Sequence, residues 1–243
     1  MKFDEIDSTN AALKRIAEQG GEVAEGLMVW ALSQTGGRGR AGRAWQSPPG
    51  NVYASFLVRA PEAMRHAPEV GFVAALAVRD AILELPRHNA PPPVVAFKWP
   101  NDVLIEGKKI CGFLLELATD PDGRGWIVLG IGLNLAPVDV PDALYSVGAL
   151  SESGVDTTPA HALTRIGRAL DEWLTTWRVG GFGEIRERWK AYGPRVGATL
   201  TVRSPEGSIS GTFAGLDDDG ALLLDTPTGR RKLIVGDVVL GGA

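Results

Sequence analysis

Between Val94 and Leu135 the chain runs through four apolar stretches, VVAFKW, VLI, KICGFLLEL and WIVLGIGLNL, separated by short connections built on the turn segments PND, EGKK and DPDGRG. Asp, Asn, Gly and Pro between apolar runs mark turns, so each stretch reads as a strand. A parallel crossover needs a dozen or more residues, and none of these connections is that long. The segment is therefore a meander, and this part of the sheet is expected to be antiparallel.

The rest of the chain supplies helices and a second β unit. Asp7 or Ser8 can cap a helix through TNAALKRIAEQ, with Leu13, Ile16 and Ala17 on one face and Gly20-Gly21 as its stop. GLMVWALSQ and NVYASFLV read as two further strands, the second preceded by the breaker run SPPG. Pro68 fits the first position of an apolar helix through Phe72, Val73, Leu76, Val78 and Ile82, ending before Pro86. Thr158-Pro159 opens an amphipathic helix carrying Leu163, Ile166, Leu170, Trp173, Leu174 and Trp177, and another helix runs through GEIRERWKAY. After Gly193-Pro194 the pattern turns to short alternating strands split by Pro-Glu-Gly, Asp-Asp-Gly and Pro-Thr-Gly turns, which suits a small all-β barrel. The expected fold is α+β, a mixed and largely antiparallel sheet packed with helices over residues 1–193, plus a barrel over 194–243.

Composition removes several functional classes. No apolar run is long enough to span a bilayer, and the acidic start MKFDEIDSTN lacks the apolar core of a signal peptide, so a cytoplasmic, membrane-free protein is expected. Cys111 is the single cysteine and His66, His88 and His161 are scattered without ligand spacing, which leaves disulfide and zinc readings unsupported. A net charge of −4 argues against a nucleic-acid coat, so any anion site must be local.

One stretch concentrates positive charge. GGRGRAGRAW, residues 36–45, holds G-x-G-x-x-G at 37, 39 and 42, with Arg38, Arg40 and Arg43 threaded through it. A dinucleotide fingerprint needs a helix starting at the third glycine, and the following RAWQSPPGN cannot supply one. What remains is a glycine-rich loop with three guanidinium groups, each able to grip phosphate or carboxylate in bidentate fashion. Were the segment extended, Arg38 and Arg40 would share a face. On the loop alone, a solvated surface and a specific anion site both stay open.

Three further clusters bear on the choice. Lys98-Trp99-Pro100-Asn101-Asp102 places a cation, an amide and a carboxylate at a strand end. Lys108-Lys109 begins the next strand of the same hairpin, so Lys109 can approach Asp102, with Gly112 three residues on. Gly130 and Gly132 interrupt an apolar strand, which implies either close approach of another group or a bulge.

Taken in order, STN (8–10), SQTGGRGRAGRAW (33–45), SPPGNVYAS (47–55), KWPNDV (98–103), GKKICGFLLE (107–116) and GIGLNL (130–135) resemble the biotin-protein ligases over nearly the whole chain. The resemblance implies a class II synthetase-like catalytic domain and an SH3-like C-terminal barrel. It implies ATP and Mg2+ as co-substrate and metal, biotin as substrate, a biotinyl-5'-AMP intermediate, and a lysine of a biotin carboxyl carrier protein of a biotin-dependent carboxylase as acceptor. By motif, Ser8 and Thr9 are expected at the ureido ring. Gln34, Gly37, Arg38, Arg40 and Tyr53 are expected to line the pocket, with Lys109 at the carboxylate and Gly112 and Gly132 giving room. Arg38, Arg40, Arg43, Trp45, Asn101, Lys109 and Asn134 are expected around the nucleotide, with Arg40, Lys109 and Asp102 catalytic and Asp102 the candidate magnesium contact. The glycine-rich loop is then a lid over anions, keeping water from a reactive mixed anhydride.

Only seven residues precede the first helix cap, too few for the DNA-binding domain that some relatives carry, so no specific operator binding is expected. Cys111, where relatives often have alanine, reads as a small buried hydrophobe. Two other readings compete. A lipoate ligase shares the chemistry but usually shows a double arginine, a serine and three glycines, a run absent here. A nonenzymatic nucleic-acid-binding module would use the basic loop and GRRK (229–232), yet aromatic residues are not interleaved with that charge. Oligomeric state is left open.

Overall fold

The computed structural model describes residues 1–20, 23–59, 63–88, 91–141, 143, 145–204 and 207–239. Strands β1 (Lys2–Ile6), β2 (Met28–Gln34), β3 (Val52–Arg59), β4 (Val95–Lys98), β5 (Asp102–Ile105), β6 (Lys108–Thr119) and β7 (Gly125–Leu133) form a seven-stranded sheet in the order β1-β2-β3-β7-β6-β5-β4. The meander from β4 to β7 is antiparallel throughout, as its short turns require. The sheet is mixed because β1 pairs in parallel with β2. Sequence reading missed β1: its burial is irregular, with only Phe3 and Ile6 half-buried, so no alternating pattern announces it.

Helix α1 (Thr9–Gln19) is capped by Ser8, whose hydroxyl accepts from the Ala11 amide, and it ends at Gly20 with a positive φ of 76°. Gly21, the other half of the expected stop, lies outside the described residues. Helix α2 (Ala63–Glu84) begins earlier than expected, so Pro68 sits inside it rather than at its start. At that position proline forfeits one bond, to the carbonyl four residues back. The early turns are held from outside: Glu69 accepts from the Trp177 indole at 2.7 Å. Trp177 belongs to α3 (Pro159–Gly180), which Thr158 caps by accepting from the His161 amide. A shorter helix, α4 (Phe182–Lys190), follows.

Strand alternation divides the two faces of the sheet. Val52, Ala54, Phe56, Val103, Cys111, Phe113, Leu129, Ile131 and Leu133 point to one side, where they and α2, α3 and α4 make the main core. Cys111 is fully buried there, and burial pushes its thiol well above the ordinary range, as expected of a packing residue. On the opposite face α1 covers one end through Leu13, Ala17, Val29, Trp126 and Val128. The other end of that face is left open.

The C-terminal strands β8 (Thr199–Ser204), β9 (Gly207–Leu216), β10 (Leu222–Thr226), β11 (Gly229–Leu233) and β12 (Asp237–Val239) form a five-stranded antiparallel sheet, β11-β10-β9-β8-β12. Pro205 and Glu206, from the expected Pro-Glu-Gly turn, lie outside the described residues. Val202, Phe213, Leu222 and Val238 join the main core, and the Trp99 indole N–H donates to the Gly220 carbonyl at 3.0 Å. The second sheet is thus fastened to the KWPND turn.

Candidate active site

The open end of the sheet has a floor set by register. Lys98 lies opposite Asp102, Asp102 opposite Gly112, Gly112 opposite Gly132, Gly132 opposite Tyr53 and Tyr53 opposite Ala31. Residues directly opposite share a face, so this rung crosses five neighbouring strands before it reaches β2. Lys109 would normally point away from Gly112, three positions along the same strand. A bulge between the Val103–Cys111 and Leu104–Lys109 pairs leaves Ile110 over, reverses the alternation, and turns Lys109 to the same side.

The result is a buried Lys-Asp-Lys cluster. Asp102 Oδ2 lies 2.9 Å from Lys98 Nζ and Oδ1 lies 2.6 Å from Lys109 Nζ. Lys98 also donates to the Val238 carbonyl at 3.3 Å. Burial alone would raise the Asp102 pKa, but the Lys109 and Lys98 charges hold it below the usual carboxylate range. For Lys109, burial works against the ammonium, and Asp102 reverses the balance so that its pKa rises.

Above this floor is a cavity of about 340 Å³, within the range of small-molecule sites. Ser8, Thr9, Gln34, Arg38, Arg40, Arg43, Trp45, Tyr53, Asn101, Asp102, Lys109, Gly112, Gly132 and Asn134 all line it; of the residues expected at the site only Gly37 does not. Gly37 supports the loop instead, its carbonyl accepting from the Trp45 amide at 2.9 Å. A side chain there would meet the Trp45 carbonyl and the Ser47 hydroxyl.

The two glycines of the rung are bare because Trp45 lies on them. A Cβ at Gly132 would come 2.5 Å from the Trp45 indole, and one at Gly112 would come 3.0 Å from the Lys109 ammonium and 3.1 Å from Trp45. Gly130 has the same reason: a Cβ there would meet the Asn10 amide. Close approach, not a bulge, explains the glycines of GIGLN. The Trp45 indole nitrogen is buried without a hydrogen-bond partner, as is Asn134 Oδ1, so two polar atoms at the cavity stand ready for a ligand.

The arginine loop is a tight hairpin rather than an extended segment. Arg38 pairs with Ala44 across an antiparallel bridge, Gly39 donates to the Arg43 carbonyl at 2.7 Å, and Ala41 and Gly42 take positive φ at the tip. Arg38 parts from the other two, while Arg40 and Arg43 both reach Asp237, Arg40 at 3.6 Å. Arg38 reaches Glu116 at 3.4 Å, and Arg40 donates to Asn101 Oδ1 and the Gly236 carbonyl, both at 3.2 Å. Arg43 pairs with Asp237 at 2.8 Å. Glu116, the last residue of GKKICGFLLE, and Asp237, from the second sheet and outside every motif, hold these cations.

At the α1 end, Thr9 donates from its amide to Gln34 Oε1 at 2.9 Å, and Gln34 donates to Ser47 at 3.0 Å. Asn10, fully internal, accepts from Ser55 at 2.6 Å and donates to Glu116 at 2.9 Å. Tyr53 donates to the Pro48 carbonyl at 2.8 Å, and burial pushes its phenol up to about 12. Sequence reasoning missed Asn10, Ser55, Glu116 and Tyr145 as site residues, and left Lys98 out of the site. Lys98 was visible in KWPND; Asn10, Ser55 and Glu116 close the motifs STN, SPPGNVYAS and GKKICGFLLE, and only Tyr145 has no local signal.

The residues present do not fit a protein-held magnesium ion. Both Asp102 oxygens are committed to ammonium groups, and among the described residues no group of three or more acidic, His or Cys residues is placed to hold a metal ion. Any magnesium would arrive on nucleotide phosphates rather than on Asp102.

Residues 3–134 match the biotin/lipoate A/B protein ligase family, and residues 197–241 match the biotin protein ligase C-terminal domain. The biotin–[acetyl-CoA-carboxylase] ligase of Paracoccus denitrificans is 35% identical over 241 residues, covering 97% of this chain and 98% of that protein. The chain belongs to the biotin protein ligases. The bifunctional ligase/repressor BirA of Bacillus subtilis is 33% identical, covering 98% of this chain and 73% of the relative. Among solved structures, the biotin protein ligase of Aquifex aeolicus in complex with biotin and ATP aligns with a TM-score of 0.80 and 29% identity, covering 98% of this chain and 96% of that one. No helix among the described residues is long and apolar enough to cross a membrane.

Proposed function

We propose that this ligase joins biotin to a lysine of a biotin carboxyl carrier domain in two steps, with the residues around the Lys-Asp-Lys cluster carrying the chemistry. The observation that supports it best is that cluster, set by register and bulge beneath a cavity rimmed by three arginines. In the first step a biotin carboxylate oxygen bonds to the α-phosphorus of ATP and the bond to pyrophosphate breaks. Two anions must meet, and Lys109, Arg38 and Arg40 offset their repulsion and the charge of the transition state. Magnesium carried on ATP would add positive charge at the same phosphates.

In the second step the acceptor amine attacks the acyl carbon, the bond to AMP breaks with its electron pair leaving on the AMP phosphate, and the proton lost by the amine passes to water. Asp102 stays ionised at neutral pH, so once Lys109 turns to the adenylate it accepts a hydrogen bond from the incoming amine and orients it. Ser8, Thr9 and Gln34 take the ureido end of biotin, Tyr53 lines its pocket, and Arg43, Trp45, Asn101 and Asn134 surround the nucleotide. The hairpin loop closes over the adenylate and keeps water out. The class II synthetase-like catalytic part is assigned to residues 1–193 and an SH3-like barrel to 194–243, in a cytoplasmic enzyme.

Asp102→Asn tests the assignment when the half-reactions are measured apart, with transfer to a carrier domain followed by intact-protein mass spectrometry. Transfer from preformed adenylate should slow more than adenylate formation; equal loss in both would remove the role given to Asp102.

A further inference from the structure

Tyr145 belongs to no sequence motif, yet it faces both lysines of the buried cluster. Its ring centroid lies 4.0 Å from Lys98 Nζ and 5.5 Å from Lys109 Nζ, inside the range over which an aromatic face attracts a cation. The backbone puts it there. Lys109 donates to the Ser146 carbonyl at 2.8 Å, Gly148 donates to the Lys109 carbonyl at 2.9 Å, and Lys109 and Val147 form a parallel bridge. The segment after β7 is thus registered directly against the Lys109 backbone, and Asn134 fastens its far end by donating to the Gly148 carbonyl at 3.1 Å.

Two ammonium groups share a single carboxylate in this cluster, so they repel each other and compete for Asp102. The π face of Tyr145 is a contact the two ammonium groups share besides Asp102, and it limits the rotamers open to Lys109, whose other aromatic neighbour is Trp45 at 5.2 Å. We propose that Tyr145 is a positioning residue for adenylate formation, its ring face holding Lys98 and Lys109 in the paired geometry from which Lys109 meets the substrate anions. The proposal rests on the role given to Lys109. It requires the ring and not the hydroxyl.

The test is a cycle of Tyr145→Leu, Tyr145→Phe, Lys109→Gln and the Leu/Gln double variant, read as biotin-dependent exchange of pyrophosphate into ATP, with thermal midpoints alongside. Tyr145→Leu should lower kcat about tenfold, the order of a desolvated cation–π contact. Tyr145→Phe should restore most of it, and in the Lys109→Gln background Tyr145→Leu should add less than about twofold, because coupled residues are not additive. Wild-type kcat in Tyr145→Leu, an equal loss in Tyr145→Phe, or a full tenfold loss persisting without Lys109 would each overturn the proposal. Full activity in Lys109→Gln alone would overturn its premise, and is recognisable because it appears with Tyr145 intact. Should Tyr145→Leu fold poorly, NMR of the unaltered enzyme and Tyr145→Phe decides: ring-current upfield shifts of the Lys98 ε-methylene protons support the contact, and random-coil positions refute it.

Discussion

Replacing Asp102 by Asn keeps the shape of the floor and removes the one negative charge between two buried ammonium groups. At an effective dielectric of about 20, each contact near 2.6–2.9 Å is worth roughly 6 kcal/mol before desolvation is subtracted. Breaking such a buried pair by removing one partner costs about 3–5 kcal/mol net, since the remaining charges stay buried. For a chain of 243 residues that lowers the melting temperature by roughly 6–20 °C. The sign of the pH dependence separates this cause from simple misfit. In the native cluster Asp102 is held below its ordinary pKa, so its contribution is present above about pH 4 and lost in acid; Lys109 is held above its own, so its contribution is complete below about pH 10 and lost only beyond. Native stability is therefore flat across neutrality with respect to this cluster. In Asp102→Asn Lys109 keeps its burial without the counter-charge that raised its pKa, the pKa falls, and the folded state binds fewer protons than the unfolded one. Stability of the variant then rises with pH, by up to about 1.4 kcal/mol per unit. Urea unfolding at pH 7 and pH 9.5 should show a deficit of several kcal/mol that shrinks at the higher pH. A deficit under about 1 kcal/mol, or one identical at both, would refute the reasoning.

Gly132→Ala places a methyl group 2.5 Å from the Trp45 indole, and overpacking of this kind costs about 1–3 kcal/mol. The indole must leave the rung, so KM for ATP should rise roughly tenfold in steady-state assays, whereas an unchanged KM would mean that Trp45 has no part in nucleotide binding. Trp99→Phe removes the bond to the Gly220 carbonyl and leaves that buried acceptor unpaired, for about 1–3 kcal/mol. Calorimetry should show a melting temperature lower by roughly 2–12 °C, and no change would mean that the bond does not fasten the second sheet.

What could be read from the chain was what local chemistry writes. Turn residues placed the β4–β7 meander, Ser8 and Thr158 announced their helices, and KWPND with GKK put Asp102 and Lys109 on one hairpin. What escaped is set by distant partners. The bulge that turns Lys109 inward rests on pairing around Ile110, and no glycine or proline marks it. Pro68 suggested a helix start, but Trp177, more than a hundred residues later, steadies the turns before it. Arg38 and Arg40 were expected to share a face if extended, but partners distant in sequence draw them apart, Glu116 for Arg38 and Asn101 with Asp237 for Arg40. Asp237 reaches the arginine hairpin, and Tyr145 the lysine cluster, from segments whose position depends on the finished fold.

Exchange of labelled pyrophosphate into ATP by the purified chain, with magnesium present and biotin, lipoate or no acid added, tests the central claim most directly. The account predicts exchange with biotin alone. Exchange with lipoate alone, or with neither acid, would contradict it.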